Sequence, residues 1–240
     1  MTLVKKQIQK TVEILSKQYP LRGAMDLNSA YKTIVGVILS ARTRDEQVLK
    51  LLPDLFKQFP TVHDLASASE IDIEAKIDSI GMYRQKSKNL KNMAQQVVDV
   101  YGGEIPNSIE ELITLAGVGR KTASVVLSVV FDKPAIAVDT HVHRVANRLG
   151  WVKSSESKET ESKLLEITPD EIKSELNRVF VKHGRYICIS RPRCWGCPVS
   201  DLCKFAEKNF EKPKNADAII SDVARREEKI QELKSKIDLV

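Results

Sequence analysis

Leu115-Ala116-Gly117-Val118-Gly119-Arg120-Lys121-Thr122-Ala123 is the stretch on which the reading of this chain turns. Two glycines one residue apart, set between helical patterns, permit a tight turn with positive φ and a close backbone approach. The N–H groups opening the helix that follows point outward, and with the helix dipole they make a site for one phosphate. Gly117, Gly119 and Arg120 are therefore candidate contacts to a nucleic-acid backbone, gripped without reading its bases. A Gly-x-Gly turn also closes many plain helical hairpins. The Arg120-Lys121 pair directly after it tilts the string towards phosphate.

On both sides of this turn apolar residues recur at helical spacing, and strand alternation is absent. Ile8, Val12 and Leu15 mark a first helix. Asn28-Ser29 can cap a second, whose Ile34-Val35-Gly36-Val37-Ile38-Leu39 is apolar nearly all round and so belongs in a core. Further helices are predicted over about 45–58, 62–68, 70–79, 84–101, 108–115, 140–149, 158–166 and 170–183. Ser108 with Glu111 three residues on matches a capping box. The stretch 122–131 is β-branched enough for a strand, but its helical surroundings and small residues favour helix. The predicted class is all-α, with no repeat of solenoid period. After Pro213, Val223, Ile230, Leu233, Ile237 and Val240 form a short heptad-like seam on a charged helix. That seam suits either a helix packed on the body or a coil that takes a partner.

A chain of 240 residues, 42% hydrophobic, holds one large domain or two small ones. Its net charge of +6 and pI near 9.0 favour a polyanionic partner. No apolar run approaches the ~20 residues of a membrane helix. The opening Met1-Thr2-Leu3-Val4-Lys5-Lys6 lacks the apolar core of a secretory signal. A cytoplasmic protein with reduced thiols is expected. All four cysteines, Cys188, Cys194, Cys197 and Cys203, crowd into sixteen residues, and none occurs before them. A disulfide framework would spread its cysteines; this cluster reads as a metal or cluster site, and of zinc and [4Fe–4S] the residues alone favour zinc, although two well-separated Cys-x2-Cys knuckles are lacking.

Lys121 alone reads as a phosphate contact, because an amine attacks only when it is unprotonated. Asp139 adds a second reading. A helix from Lys121 to Phe131 rises ~15 Å, and the segment 135–139 can run back by up to ~17 Å if extended. Asp139 can therefore arrive beside Lys121. The plainer role for it is an N-cap of the next helix, worth ~1 kcal/mol.

At these residues the chain resembles the endonuclease III family of helix-hairpin-helix DNA glycosylases. The likeness lies in Leu39-Ser40-Ala41-Arg42-Thr43-Arg44-Asp45, Ile80-Gly81-Met82-Tyr83, the hairpin string, Ile136-Ala137-Val138-Asp139-Thr140-His141-Val142-His143-Arg144-Val145 and His183-Gly184-Arg185-Tyr186, and it spans roughly residues 1–210. It implies a bifunctional enzyme of base excision repair, removing oxidised pyrimidines and nicking abasic sites. Lys121 would be the nucleophile at C1′ and Asp139 its assistant, stabilising positive charge or shuttling protons. The damaged nucleotide would flip out of the duplex, with Arg42 and Met82 filling the gap. Lys121 together with Gly36, where adenine glycosylases carry a catalytic glutamate, selects the bifunctional pyrimidine branch.

The resemblance also turns the cysteine site towards a [4Fe–4S] cluster, with Arg191 and Arg193 of its loop reaching DNA phosphates. Two departures stand out. The first gap between cysteines is five residues where six is usual, and Ala116 stands where proline is usual, which should soften the start of the turn by ~0.5 kcal/mol. The layout implied is a helix-hairpin-helix barrel over 24–134 and an iron–sulfur lobe made of 1–23 with 135–210. A helical tail covers 211–240, and double-stranded DNA carrying damaged bases or abasic sites lies across the cleft between the lobes. A monomer working at the nucleoid is expected, with a partner for the tail possible. The rival functions are a mismatch or monofunctional glycosylase, and a non-enzymatic DNA-binding module.

Overall fold

The computed structural model describes residues 3–240. Among them the regular structure is helical throughout. The helices are α1 (Leu3–Gln18), α2 (Ala30–Ser40), α3 (Asp45–Gln58), α4 (Val62–Ser67), α5 (Glu70–Ile77) and α6 (Tyr83–Tyr101). They continue with α7 (Ile109–Leu112), α8 (Arg120–Val130), α9 (Thr140–Leu149), α10 (Ser157–Ile167), α11 (Lys173–Tyr186) and α12 (Ala216–Asp238). Short 3-10 turns occupy Asp170–Ile172, Cys194–Gly196 and Ser200–Leu202. The stretch after the hairpin is helix, as its small residues and helical neighbours favoured over its β-branching.

The chain divides into two compact units. One combines residues 1–22 with 132–225, the other residues 23–131 with 226–240. No helix among the described residues is long and apolar enough to cross a membrane.

The first unit is built on α9 and α11, which pack on each other, with α1 against α11 and α10 against α9. Ile8, Val12 and Leu15 of α1 meet Val142, Val145 and Ala146 of α9 and Leu176, Val179 and Phe180 of α11 in one buried cluster. Trp151 stacks on Phe180 with ring centroids 5.2 Å apart. Polar contacts tie α1 to α11 as well. Ser16 hydrogen-bonds Glu175, and the Arg178 guanidinium donates to Glu175 and to the carbonyls of Tyr19 and Leu21. The Arg178 hydrogen bond is the main reason the Glu175 carboxyl stays below its ordinary pKa.

In the second unit α6 is the spine, with α4 and α5 packed along it and α2 lying against α3, α6 and α8. Ile34, Leu39, Leu52, Leu55, Phe56, Leu65, Ile73, Leu90 and Met93 are buried. Side-chain caps fix several of the helix starts: Ser29 accepts from the Lys32 amide, Ser69 from Asp72 and Ser108 from Glu111. The complete reciprocal capping box is at Thr61 and Asp64, whereas Glu111 reaches only the Ser108 hydroxyl. The last part of α12 also belongs here. Ile230, Leu233 and Ile237 are buried, Lys234 Nζ donates to the Gly23 carbonyl at 3.0 Å, and Lys32 Nζ donates to the Ile237 carbonyl at 3.0 Å. Val223 packs on the core of the first unit. The heptad-like seam is thus covered within the chain, apart from the exposed Val240.

Two helical glycines separate a packing need from a coincidence. A Cβ on Gly184 would stand 2.7 Å from His141 Cβ and 3.1 Å from its Cα, so the backbone of α9 would have to move. The atoms nearest a Cβ on Gly36 would be the side-chain ends of Leu27 and Met25, both at 3.1 Å, and of Leu52 at 3.7 Å. Gly184→Ala should lose ~1–3 kcal/mol in urea unfolding despite the better helix propensity of alanine. Gly36→Ala should stay within about 1 kcal/mol of the parent, because flexible side-chain ends can yield.

Candidate active site

The hairpin begins at α7 and turns through residues 113–119 into α8. Its backbone is held by bonds from the amides of Ile113, Thr114, Leu115 and Val118 to carbonyls three or four residues earlier. Gly117 takes φ +77°, and a Cβ there would press on Asn89 Cβ at 2.9 Å, so both conformation and space demand glycine. Gly119 is the N-cap of α8 and, being glycine, brings no side-chain cap to that helix. Nothing lies within 4 Å of the place a Gly119 Cβ would occupy. The first turn of α8 is therefore approachable, and Arg120 and Lys121 are exposed on it. Amides at an approachable helix start favour an anionic oxygen.

Ala116 has a clear structural meaning. Its amide donates to Gln96 Oε1 at 2.8 Å, while Gln96 Nε2 donates to the Thr114 carbonyl at 3.2 Å. A proline at 116 has no N–H to give. The side-chain amide of Gln96, on α6, clasps the turn in place of the ring's fixed φ, so the softening expected from the missing proline is offset by two hydrogen bonds.

Arg42 and Met82 lie in the same unit as the hairpin. Arg42 follows the end of α2 with φ +56°, and Met82 is the N-cap of α6 with φ +61° and is 56% exposed. They are two of only four non-glycine residues with positive φ among those described. Such conformations cost of order 1–3 kcal/mol and mark places where the surroundings impose a geometry.

Asp139 belongs to the first unit, Lys121 to the second. Asp139 is the N-cap of α9, where its Oδ1 accepts from the amides of His141 and Val142, both at 2.8 Å. The plain capping role is therefore present, and the half-buried carboxylate is held in one orientation by it. Next to it, Arg144 Nη2 lies 3.1 Å from His141 Nδ1. Arginine only donates, so Nδ1 accepts and the imidazole is neutral. Burial pushes the His141 pKa down, in keeping with that state.

Cys188, Cys194, Cys197 and Cys203 line one largely apolar cavity together with Leu149, Ile187, Val199 and Phe205. Among the described residues no three His, Cys, Asp or Glu groups are drawn together to hold a single metal ion. Burial, with the other three cysteines adding to it, pushes the Cys197 thiol up to about 12. His183 Nε2 lies 3.6 Å from Cys197 Sγ and its Nδ1 lies 3.3 Å from the Tyr19 hydroxyl; burial lowers its pKa to about 4.

Sequence reasoning missed the arginines that hold this loop. Arg144 Nε donates to the Cys188 carbonyl at 2.7 Å and its Nη2 to the Gly184 carbonyl at 2.7 Å. Arg148, one turn further along α9, donates to the carbonyls of Ile189 and Ser190 at 2.6 and 2.8 Å and lies 4.5 Å over the Phe205 ring. Two arginines four residues apart on one face of a helix before a cysteine cluster were the available signal. Of the loop's own arginines, Arg191 is exposed and 3.7 Å from Glu211, whereas Arg193 Nη1 donates to the Tyr186 carbonyl at 2.9 Å. Arg193 therefore also supports the loop's backbone.

The Gln96 clasp makes a testable non-additivity. Gln96→Leu and Ala116→Pro should each cost about 1–2 kcal/mol in chemical unfolding, since each removes hydrogen bonds of the turn. The double variant should lose clearly less than the sum, because the same bond to the Ala116 amide is removed by both changes.

Residues 35–170 match the family model described as HhH-GPD superfamily base excision DNA repair protein. Endonuclease III of Thermotoga maritima is 44% identical over 176 residues, covering 73% of this chain and 83% of that protein. A solved structure of a trapped endonuclease III–DNA covalent intermediate superposes with a TM-score of 0.76 at 38% identity, over 85% of this chain and 97% of that one. A thermostable thymine-DNA glycosylase gives a TM-score of 0.77 at 25% identity, over 87% of this chain and all of that one. The family model over more than half of its length and a relative 44% identical place the chain in the endonuclease III family of the HhH-GPD superfamily.

Proposed function

We propose that this chain is a base-excision-repair DNA glycosylase and abasic-site lyase that removes oxidised pyrimidines from double-stranded DNA as a monomer. The observation that carries the reading is Lys121 itself, an exposed amine on a helix start with no side-chain cap. A relative's covalent complex with DNA, trapped and solved, supports it. The work is on chromosomal DNA in the cytoplasm.

In the proposed reaction the hairpin amides of the Gly117–Gly119 turn and Arg120 hold a backbone phosphate, and Arg42 and Met82 fill the space left by the flipped nucleotide. The Lys121 Nζ lone pair attacks C1′ as the bond from C1′ to the base breaks, and the base leaves with that electron pair and a proton. The attached nitrogen gives up a proton, and its lone pair then opens the C1′–O4′ bond; O4′ leaves with the bonding pair and takes up that proton, which gives an iminium between Lys121 and C1′. The iminium acidifies the C2′ proton; its removal expels the 3′ phosphate by β-elimination, and water then releases the lysine. Asp139, oriented by its two amide contacts, stabilises the positive charge that develops and helps move protons.

The four cysteines are proposed to hold a [4Fe–4S] cluster. Four thiols lining one cavity supply the four thiolate ligands that such a cluster takes. When bound, the cluster supplies a rigid anchor for the loop rather than a reaction step. Arg144 and Arg148 hold that loop's carbonyls, and Arg191 and the exposed side of Arg193 face phosphates.

Lys121→Gln should lower cleavage of an abasic duplex by roughly 10³-fold or more and abolish borohydride trapping, with duplex affinity within a few fold of the parent. Undiminished cleavage removes Lys121 from the chemistry. Base release from a mismatched duplex with no trapped species in the parent protein instead supports a monofunctional mismatch glycosylase. Asp139→Asn keeps a good N-cap and should slow turnover by about 10²-fold without loss of stability. Purified protein should be brown, with about four irons per chain by metal analysis. A colourless protein with one zinc contradicts the cluster.

A further inference from the structure

One lysine outside the chemistry is placed where the two gap-filling residues are set. Lys86, on the first turn of α6, is only 5% exposed. Its Nζ donates to the Leu39 carbonyl at 2.8 Å and to Thr43 Oγ1 at 2.6 Å. These two acceptors bracket the turn that ends α2 and carries Arg42, a turn otherwise closed only by the Ala41 amide to Ile38 at 3.4 Å and the Thr43 amide to Ser40 at 3.1 Å. The amide of the same lysine makes the opening bond of α6, to the carbonyl of the N-cap Met82 at 3.0 Å, as the fourth residue after any helix N-cap does. The side chain of Lys86 thus ties the Arg42 turn to the first turn of the helix that Met82 opens.

Both acceptors of the ammonium are neutral, and burial lowers the Lys86 pKa. A buried charge without a carboxylate is a poor choice for stability alone, and lysines are seldom buried unless paired. A methionine, one atom shorter, would fill most of the space at lower desolvation cost. What only the ammonium does here is fasten the turn that carries Arg42 to the first turn of α6.

We propose that Lys86 is the positioning residue for duplex opening: it sets Arg42 and Met82 at a fixed separation so that both enter the gap as the damaged nucleotide leaves. This rests on the reading that Arg42 and Met82 fill that gap. It predicts a defect confined to duplex substrates, because a single strand has no opposite base and no stack to hold open.

The test compares base excision from a thymine glycol duplex, under single turnover, with β-elimination at an abasic site in a single-stranded oligonucleotide. The proteins are the parent, Lys86→Met, Lys86→Arg, Thr43→Val, Arg42→Ala and Met82→Ala. A 2-aminopurine opposite the lesion reports by its fluorescence whether the opposite base is unstacked. Lys86→Met should slow duplex excision at least tenfold and lose most of the fluorescence rise, with single-strand β-elimination within twofold of the parent. Thr43→Val, which keeps the bond to Leu39, should show a smaller loss of the same kind, and Lys86→Arg should recover part of the rate. Equal losses on both substrates in Lys86→Met and Thr43→Val would mean a merely structural lysine and overturn the proposal. Slow duplex excision in Arg42→Ala and Met82→Ala alongside a normal Lys86→Met would overturn it too. Normal duplex excision in Arg42→Ala and Met82→Ala would instead sink the gap-filling reading beneath it.

Discussion

A helix that is to hold a phosphate at its first turn cannot have that turn closed by its own side chain. That bears on the phosphate site proposed for the second unit. Ser29, Thr61, Ser69 and Ser108 each cap a helix there with a hydroxyl, whereas α8, like α3 and α6, starts with no side-chain cap. Without that local stabilisation, the start of α8 has to be fixed from elsewhere. Gly117 supplies the positive φ of the turn, Gln96 clasps it from α6, and the buried face of α8, with Ala123, Val126 and Leu127, packs on α2. Lys121 takes its place at the approachable end of a helix whose other face is core.

The same economy recurs wherever a loop must keep an unusual shape. Lys86 holds the turn after α2, Arg144 and Arg148 hold the cysteine loop, and Arg178 holds the chain leaving α1. In each case a long cationic side chain crosses from a helix to backbone carbonyls that no helix or strand satisfies. Charge-assisted bonds of this kind are stronger than neutral ones, and leaving buried carbonyls without them costs about 1–3 kcal/mol each. The shortened gap between Cys188 and Cys194 is accommodated in this way, since Arg148 alone reaches two carbonyls within it.

Much of this was legible in the sequence, because it follows local rules. The helix over 45–58 has the bounds its periodicity predicts, and Ser29 and Ser108 cap as their positions suggest. The hairpin glycines announce themselves through spacing alone. Contacts between residues distant in sequence were not legible. Gln96 is twenty residues from Ala116 and Arg148 is over forty from Ser190, so neither pairing leaves a periodic trace. Lys86 sits in a run of polar residues and reads as a solvated face, although it is buried. The tail showed a seam but not its cover, because a heptad spacing describes an apolar stripe and says nothing about which surface meets it.

In the proposed reaction the amine at the start of α8 becomes covalently joined to C1′ of an abasic nucleotide. Peptide mapping by mass spectrometry of the borohydride-reduced adduct, after digestion of both protein and DNA, tests this most directly. The account predicts the sugar remnant on Lys121, within the peptide that begins after Arg120 once trypsin has cut there. A remnant on any other lysine, or on the N-terminal amine, contradicts it.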